Sequence, residues 1–343
     1  MNTLQGSQAK NFCARRCLMA VLVLVLALGA AVAPFGGVAA ADKKDAGTGN
    51  RIIISGASGG LAGETIDALL AHGAKPSDLI LVTRTPEKLS ALAARGATVR
   101  AGDFNKPDAL PAAFEGGRSM LLISTSGGGD RVEQHTAAIS AARKAGVRHI
   151  VYTSFINAVD DNPAMVTRDH RLTEEALRKG GVPFTILRNQ LYSDGLVAHG
   201  AQAVATGEIV TNSGRGKWAP VARKDCAAAA AVVLTSPGHE GKTYDITGPD
   251  LINDDDLARM LTSITGKPVR VTQVDDAAYI ARAVQAGAPE AGAKMGASFG
   301  IATRNNYLNI KSETLQILLG RPPQSVRELL TENKALLLAP ARR

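Results

Sequence analysis

After residue 50 the chain alternates short apolar runs with segments of helix length. The first run, Arg51–Ser55, is rich in β-branched residues and stops at glycines. Similar runs recur at Leu79–Thr83, Thr98–Ala101, Met120–Ser124, His149–Ser154 and Phe184–Leu187. Continuous apolar runs are typical of strands that are buried on both faces of a parallel sheet. The pattern therefore predicts an α/β fold, a Rossmann-type doubly wound sheet with all strand carboxyl ends, and hence the ligand, at one edge.

The pattern changes beyond residue 195. Brief strands now alternate with helical stretches, which are Lys224–Leu234, Thr243–Thr247, Asp254–Ile264, Val269–Gln273 and Ala277–Gln285 in chain order. We interpret residues 50–195 as the doubly wound Rossmann domain and 196–332 as a smaller α/β substrate lobe that shares some of its elements. The glycine- and alanine-rich segment Gly287–Gly300 predicts a mobile flap, and residues 333–343 predict a loose tail.

The first 41 residues form a block of different composition. Lys10, Arg15 and Arg16 precede an uncharged run from Cys17 to Ala41 that ends in small residues. This layout predicts a secretory signal peptide with cleavage after Ala40 or Ala41, and Arg15-Arg16 resembles a twin-arginine signal. The competing interpretation is an uncleaved membrane anchor formed by residues 17–41. Both interpretations predict that the folded part crosses a membrane, and the cleaved form is expected in the periplasm.

Charge and cysteine content narrow the function. The formal charge of +8 loses three cations with the leader, which leaves +5 in the remaining chain. Acids are interspersed with the remaining cations, so no nucleic-acid partner is expected. Two of the three cysteines lie in the leader, which leaves Cys226 alone in a helical pattern. We expect it to be buried, and no spacing of cysteine and histidine predicts a metal site.

The loop after the first predicted strand has the residues of a phosphate-binding turn. It reads Gly56, Ala57, Ser58, Gly59, Gly60, Leu61, Ala62 and Gly63. Glycines let the backbone approach a pyrophosphate, whose charge is met by free N–H groups at the start of the following helix. The loop ends a strand and opens a helix, which is the context that dinucleotide binding requires.

The end of the second strand indicates which dinucleotide binds. An acidic residue there suits the ribose 2′-hydroxyl of NAD, whereas a basic residue accommodates the 2′-phosphate of NADP. Here Arg84 ends the strand and Lys88 follows one turn later. Because the guanidinium is a planar fork that suits phosphate, the sequence favours NADP(H).

Polar residues also close the next three predicted strands. Asp103 and Phe104 suit the amine and the face of adenine. Hydroxyl residues follow the fourth and fifth strands and are expected to line the crevice: Ser124, Thr125, Ser126, Tyr152, Thr153 and Ser154.

Together these segments resemble the NmrA-like branch of the atypical short-chain dehydrogenases, and within it the bacterial type 2 NADPH:quinone oxidoreductases. The likeness covers most of residues 50–332, including Leu318–Glu328 near the end of the chain. It implies a pyrophosphate grip at Gly56–Leu61, a 2′-phosphate contact at Arg84 and a nicotinamide border at Ser124–Ser126. It also implies that Arg188, Asn189, Tyr192 and Ser193 lie near the nicotinamide and the substrate.

Ordinary short-chain dehydrogenases use a Tyr-x-x-x-Lys pair as acid toward a carbonyl. The one match, Tyr307 with Lys311, lies far from the fifth-strand helix, so we treat it as chance. Hydride transfer to a quinone needs no such pair. Candidate catalytic residues are Asn189 and Tyr192, with His170 as a proton donor or a helix-surface residue.

Three functions stay open at this stage. The first is NADPH-dependent reduction of a quinone or similar small molecule. The second is an NADP-binding redox sensor of the NmrA type without catalysis. The third is a reductase or isomerase of another small substrate in which His170 is catalytic. Whether the chain forms a homodimer also stays open.

Overall fold

In a computed structural model of the protein, residues 50–125 and 130–339 are described. The predicted leader and Ser126 lie outside these residues, as does the end of the predicted tail from residue 340.

Nine strands are present in the described part of the chain. In order they are β1 (Ile52–Ser55), β2 (Leu79–Thr83), β3 (Thr98–Ala101), β4 (Ser119–Leu122), β5 (His149–Phe155), β6 (Phe184–Asn189), β7 (Glu208–Thr211), β8 (Thr243–Ile246) and β9 (Arg270–Gln273). Seven of them form a parallel sheet in the order β3-β2-β1-β4-β5-β6-β8, and β7 and β9 form a separate parallel pair. The predicted doubly wound α/β fold is confirmed.

The strands are connected and covered by helices. They are α1 (Gly60–Ala71), α2 (Ser90–Ala94), α3 (Leu110–Phe114), α4 (Arg131–Lys144), α5 (Thr167–Lys179), α6 (Gly195–Thr206), α7 (Arg223–Thr235), α8 (Asp254–Thr265), α9 (Asp276–Gln285), α10 (Glu290–Arg304), α11 (Thr314–Leu319), α12 (Val326–Glu332) and α13 (Lys334–Leu337).

Side chains of the strands alternate between two cores, as the period of a strand requires. Ile52 and Ile54 of β1 pack with α1 and α7 on one face, whereas Ile53 packs with α3 and α4 on the other. All three are at most 5% exposed. The alanines of α7 are small enough for this helix to lie close against α1.

Elements after residue 195 contribute both to the main sheet and to a separate core. Residues of α7 and Ile246 of β8 belong to the core beneath the main sheet, and β8 pairs with β6. A third core is formed by α6, α8, α10 and the chain end, and it includes Trp218 and Leu261.

Two predicted irregular segments are helical instead. The predicted flap is wrong for residues 290–300, which form most of α10 with Ala293, Ala297 and Gly300 buried. Small residues serve packing here, because a Cβ on Gly300 would lie 1.8 Å from the Asn212 Oδ1 atom. The predicted tail is also wrong over α13, whose Leu337 is 1% exposed in the third core.

Candidate functional site

A cavity of about 550 Å³ opens at the carboxyl ends of β1 to β4. This is the edge at which a doubly wound sheet binds its ligand, beside the point where the strand order reverses between β1 and β4. Its lining comprises Gly56, Ser58, Gly59, Val82, Thr83, Arg84, Thr85, Lys88, Gly102, Asp103, Phe104, Asn105, Ile123, Ser124, Thr125 and Gln134.

The predicted phosphate loop forms the turn between β1 and α1. Gly56 has a φ of +60°, a conformation that favours glycine. The Ala57 N–H donates to the Val82 carbonyl at 3.0 Å and the Gly59 N–H to the Gly56 carbonyl at 2.8 Å. These two groups are therefore used within the fold. The N–H groups of the first three residues of α1, Gly60–Ala62, have no intrahelical partner and can serve an anion.

Arg223 of α7 crosses the start of α1. Its Nε atom donates to Glu64 Oε1 at 2.9 Å, and its NH2 group lies 3.4 Å from Asp194 Oδ1. A Cβ on Gly60 would lie 3.3 Å from this guanidinium. Gly60 is thus adapted to a neighbouring side chain, and the first turn of α1 is fixed to α7 by an ion pair.

Three hydroxyl groups and two cations surround the end of β2. Ser58 Oγ and Thr83 Oγ1 are 2.8 Å apart, and Thr85 Oγ1 donates to Ser58 Oγ at 3.1 Å. Arg84 and Lys88 are exposed, and neither side chain has a hydrogen-bond or ion-pair partner among residues 50–125 and 130–339. This end of the cavity can therefore bind a phosphate dianion.

The neighbouring wall comes from the turn after β3. Asp103 Oδ1 accepts from the Asn105 N–H at 3.0 Å, which holds the turn, and Phe104 packs against the second core. Gly102 permits this approach, because a Cβ there would lie 2.3 Å from Val82 Cγ1. Asp103 and Phe104 both line the cavity, where they were predicted to contact adenine.

The far wall is the segment after β4. The Ser124 N–H donates to Thr153 Oγ1 at 3.0 Å, so Thr153 supports this wall without lining the cavity. Thr125 Oγ1 donates to Gln134 Oε1 at 2.8 Å. Ser124 and Thr125 line the cavity as predicted, and Ser126 lies outside the described residues.

Besides Thr153 and the loop residues Ala57, Gly60 and Leu61, three residues predicted at the cofactor do not line this cavity. Tyr152 is fully buried, and its hydroxyl lies 2.9 Å from His170 Nδ1. Ser154 donates to Glu174 Oε1 at 2.7 Å. Arg188 donates to both oxygens of Glu174, at 2.8 and 2.7 Å. The fold uses these polar groups to satisfy one another around a carboxylate that is 1% exposed.

A second polar group lies at the end of β6. Asn189 Nδ2 donates to the Tyr192 hydroxyl at 3.1 Å. Asn189 Oδ1 and Ser193 Oγ are buried and have no hydrogen-bond partner within the described ranges. A buried acceptor without a partner is costly in a folded protein, which is the condition expected of a group that meets a ligand. Tyr192 is 38% exposed and borders the same place.

His170 is not a helix-surface residue. It is 6% exposed, and its ring stacks on Phe155 with the centroids 6.1 Å apart. Burial, aided by the charge of Arg131, lowers the pKa of His170 to about 3. The imidazole is therefore neutral at neutral pH and lacks the second ring proton that an imidazolium would give up as a general acid. Burial likewise raises the pKa of its partner Tyr152.

Sequence reasoning missed several lining residues. Thr83, Asn105 and Gln134 were not proposed, although all three line the cavity. Thr83 is the last residue of β2 and Asn105 follows Asp103 by two positions, so their places at strand ends were a usable signal. Gln134 lies in the first turn of α4, and only the fold brings it to this wall.

Other classes of site find no support in the described residues. There, no group of three or more histidine, cysteine or acidic side chains is placed to hold a metal ion. Cys226 is buried as predicted, and burial raises the pKa of its thiol. None of the helices in the described ranges has the length and apolar character needed to cross a membrane.

Comparison with known proteins also indicates a chain that binds NAD(P)H. A family model described as NAD(P)H-binding matches residues 56–237. Quinone oxidoreductase 2 of Escherichia coli strain K12 is 37% identical over 277 residues, which cover 81% of this chain and 96% of that protein.

Two solved structures are similar over the same region. The NADPH-dependent quinone oxidoreductase of Escherichia coli, complexed with NADPH, has a TM-score of 0.79 at 36% identity and covers 82% of this chain and 99% of its own. The triphenylmethane reductase of Citrobacter, complexed with NADP(H), has a TM-score of 0.78 at 36% identity with the same coverage of both chains.

Proposed function

Because the chain belongs to the NAD(P)H-binding family, we propose that it is an oxidoreductase that uses NADPH to reduce a quinone or a similarly conjugated acceptor. The observation that carries this proposal is the group of polar side chains at the end of β2. There, two exposed cations and three hydroxyls meet at a cavity that opens beside the phosphate loop. The quinone and dye reductases that resemble the chain support the choice of acceptor.

The residues present fit NADP(H). The first turn of α1 would hold the pyrophosphate, Arg84 and Lys88 the 2′-phosphate, and Asp103 and Phe104 the adenine. The fold itself favours glycine at two lining positions, because a Cβ on Gly59 would lie 3.2 Å from the Gly56 carbonyl oxygen and one on Gly102 would lie 2.3 Å from Val82 Cγ1. When bound, the coenzyme supplies the hydride.

The chain's own contribution is positioning and exclusion of water. Asn189 Oδ1 and Ser193 Oγ are buried acceptors without partners among the described residues, and Asn189 Nδ2 orients the Tyr192 hydroxyl. These groups would bind and orient the polar atoms of the nicotinamide or of the acceptor. Tyr307, from the Tyr-x-x-x-Lys match, donates instead to Asp161, which supports a reaction without that pair.

The test is NADPH oxidation by the purified full chain with a quinone, a triphenylmethane dye and a simple ketone as separate acceptors. We expect turnover with the quinone, weaker or no turnover with the ketone, and lower kcat/KM with NADH. Asn189→Ala should lower kcat with the quinone at least tenfold, because it removes the buried amide. Asn309→Ala, at an exposed position, should leave kcat unchanged.

Two results would contradict the proposal. Tight NADP⁺ binding without turnover of any acceptor would favour the NADP-sensing function instead. Turnover of the ketone alone, abolished by His170→Ala, would favour a carbonyl reductase in which His170 is catalytic.

We also propose that residues 1–41 direct export, with membrane anchoring by residues 17–41 as the alternative. The uncharged run behind Arg15 and Arg16 supports this proposal. N-terminal sequencing of the native protein tests it, since a mature chain that begins near Asp42 is expected. A chain that retains the leader would exclude the cleaved form.

A further inference from the structure

The cavity wall at Thr125 is held by a buried histidine that does not itself line the cavity. His135 of α4 is fully buried. Its Nε2 atom accepts from the backbone N–H of Thr125 at 3.0 Å. Thr125 immediately follows Ser124 in the wall after β4, so one imidazole atom fixes the backbone of a segment that faces the coenzyme site.

The other side of the ring fixes its protonation. Thr173 of α5 donates its hydroxyl proton to the Asp169 carbonyl at 2.8 Å, and its oxygen lies 2.9 Å from His135 Nδ1. The hydroxyl proton is therefore committed, and Nδ1 must carry a proton to donate to Thr173. This leaves Nε2 as an acceptor, which is the form that the Thr125 N–H requires.

The surroundings hold the ring in this state. His135 meets Tyr152 edge to face, with the ring centroids 5.5 Å apart, so the ring cannot rotate freely. Burial, with the nearby charge of Arg131, lowers the pKa of His135 to about 3. Protonation would replace the acceptor at Nε2 with a donor, and the low pKa keeps that from happening at neutral pH.

The same wall is connected to the adenine side. Thr125 Oγ1 donates to Gln134 Oε1, and Gln134 Nε2 donates to Asn105 Oδ1 at 3.0 Å. Asn105 in turn donates to Asp103. The segment that His135 holds is thus linked through hydrogen bonds to the turn after β3, across the width of the cavity.

We propose that His135 is a positioning residue for NADP(H), which holds the Ser124–Thr125 wall in its binding conformation through a neutral imidazole with an acceptor at Nε2. The proposal rests on the proposed coenzyme site and not on which molecule the enzyme reduces. Binding of NADP⁺ therefore tests it without any turnover.

Two substitutions separate positioning from space filling. The amide of glutamine reaches the place of Nε2, whereas the amide of asparagine reaches only the place of Nδ1. His135→Gln keeps an acceptor for the Thr125 N–H, and we expect its Kd for NADP⁺ by calorimetry to stay within about threefold of the parent. His135→Asn leaves that N–H without a partner, and its Kd should rise about tenfold.

The control is His149→Asn. His149 begins β5, at the strand end away from the cavity, and its Nε2 is 2.9 Å from Thr185 Oγ1, a contact that asparagine is too short to keep. Its Kd for NADP⁺ should not change. Equal Kd values for His135→Gln and His135→Asn, at any stability, would overturn the proposal.

A measurement on the parent protein covers the case in which His135→Asn does not fold. In the full chain labelled with ¹⁵N-histidine, we expect His135 to be neutral with its proton on Nδ1, and its Nε2 resonance to shift when NADP⁺ is added. A proton on Nε2 at neutral pH, or no shift with saturating NADP⁺, would overturn the proposal.

Discussion

Two arginines near the ends of strands show how differently one fold uses the same residue. Arg84, directly after β2, is exposed at the cavity and has no side-chain partner in the described ranges. Arg188, at the next-to-last position of β6, has both fork nitrogens on Glu174. Both follow a buried apolar run, so their local sequences look alike. The difference is made by α5, which supplies a carboxylate to one strand end and not to the other.

The contrast extends to the neighbouring hydroxyls. Thr83, Thr85 and Ser58 contact one another at the cavity surface, whereas Ser154 is bound to the buried Glu174. The ends of β2 to β4 thus remain available to a ligand, whereas Ser154 and Arg188 at the ends of β5 and β6 already have an internal partner. A polar residue at a strand end indicates a ligand only where no neighbouring element already satisfies it.

The largest expected effect of a single substitution at neutral pH is at Glu174. Glu174→Gln leaves the half-buried Arg188 without its carboxylate, and we expect the free energy of unfolding to fall by about 3 kcal/mol. Urea denaturation followed by circular dichroism measures this. The neighbouring Glu175→Gln removes a carboxylate whose side chain is 41% exposed, so its effect should stay within about 1 kcal/mol.

Coenzyme binding completes that comparison. Folded Glu174→Gln should bind NADP⁺ as tightly as the parent. Weaker binding without a loss of stability would contradict the structural role and return Arg188 to the coenzyme site.

Acid sensitivity is a separate effect, and it should arise from two buried histidines. Burial lowers the pKa of His135 and of His170 from 6.5 to about 3. Between these values the unfolded chain binds protons that the folded chain does not, so stability is lost as the pH falls from about 6.5 toward 3. Each histidine should contribute about 1.4 kcal/mol per pH unit within this range.

Urea denaturation at a series of pH values below 6.5 checks this prediction. His170→Gln should make the dependence of unfolding free energy on pH shallower. The substitution of an exposed histidine, His72→Gln, provides the comparison. A parent protein with the same stability at pH 6.5 and pH 5 would show that these rings are not buried in the neutral form.

Much of the fold could be predicted because the apolar residues of each strand already indicate that the strand is buried. Ile52–Ile54 place apolar side chains on both faces of the sheet, and the glycine loop follows directly. The family resemblance is also confirmed. The predicted flap was wrong because glycine and alanine suit both mobile segments and tightly packed helices. The close packing of Asn212 against Gly300 shows that this segment is a tightly packed helix.

The candidate site was predicted unevenly for a related reason. Arg84 and Asp103 line the cavity because a strand end alone puts them there. The surroundings of Tyr152 and Arg188 depend on His170 and Glu174, which come from a helix that follows β5 in the chain. No local pattern announces such a partner, so the sequence could not separate residues that face a ligand from residues that face each other.

The smallest expected effect is at Arg84, and it is the most specific test of the cavity at the ends of β2 to β4. Arg84→Ala removes a charged donor from the proposed 2′-phosphate contact, and the Kd for NADP⁺ should rise about tenfold to a hundredfold. The Kd for NAD⁺ should stay within about twofold, because NAD⁺ has no 2′-phosphate. Arg95→Ala removes the same charge from an exposed position outside the cavity lining, so it tests whether general surface charge is responsible. Calorimetry with both coenzymes measures all four values, together with thermal unfolding, which Arg84→Ala should leave unchanged. If Arg84→Ala raised the Kd for NADP⁺ and for NAD⁺ by the same factor, Arg84 would not recognise the 2′-phosphate. Arg84 and Arg188 would then differ in exposure, but the exposed arginine would have no specific function in coenzyme selection.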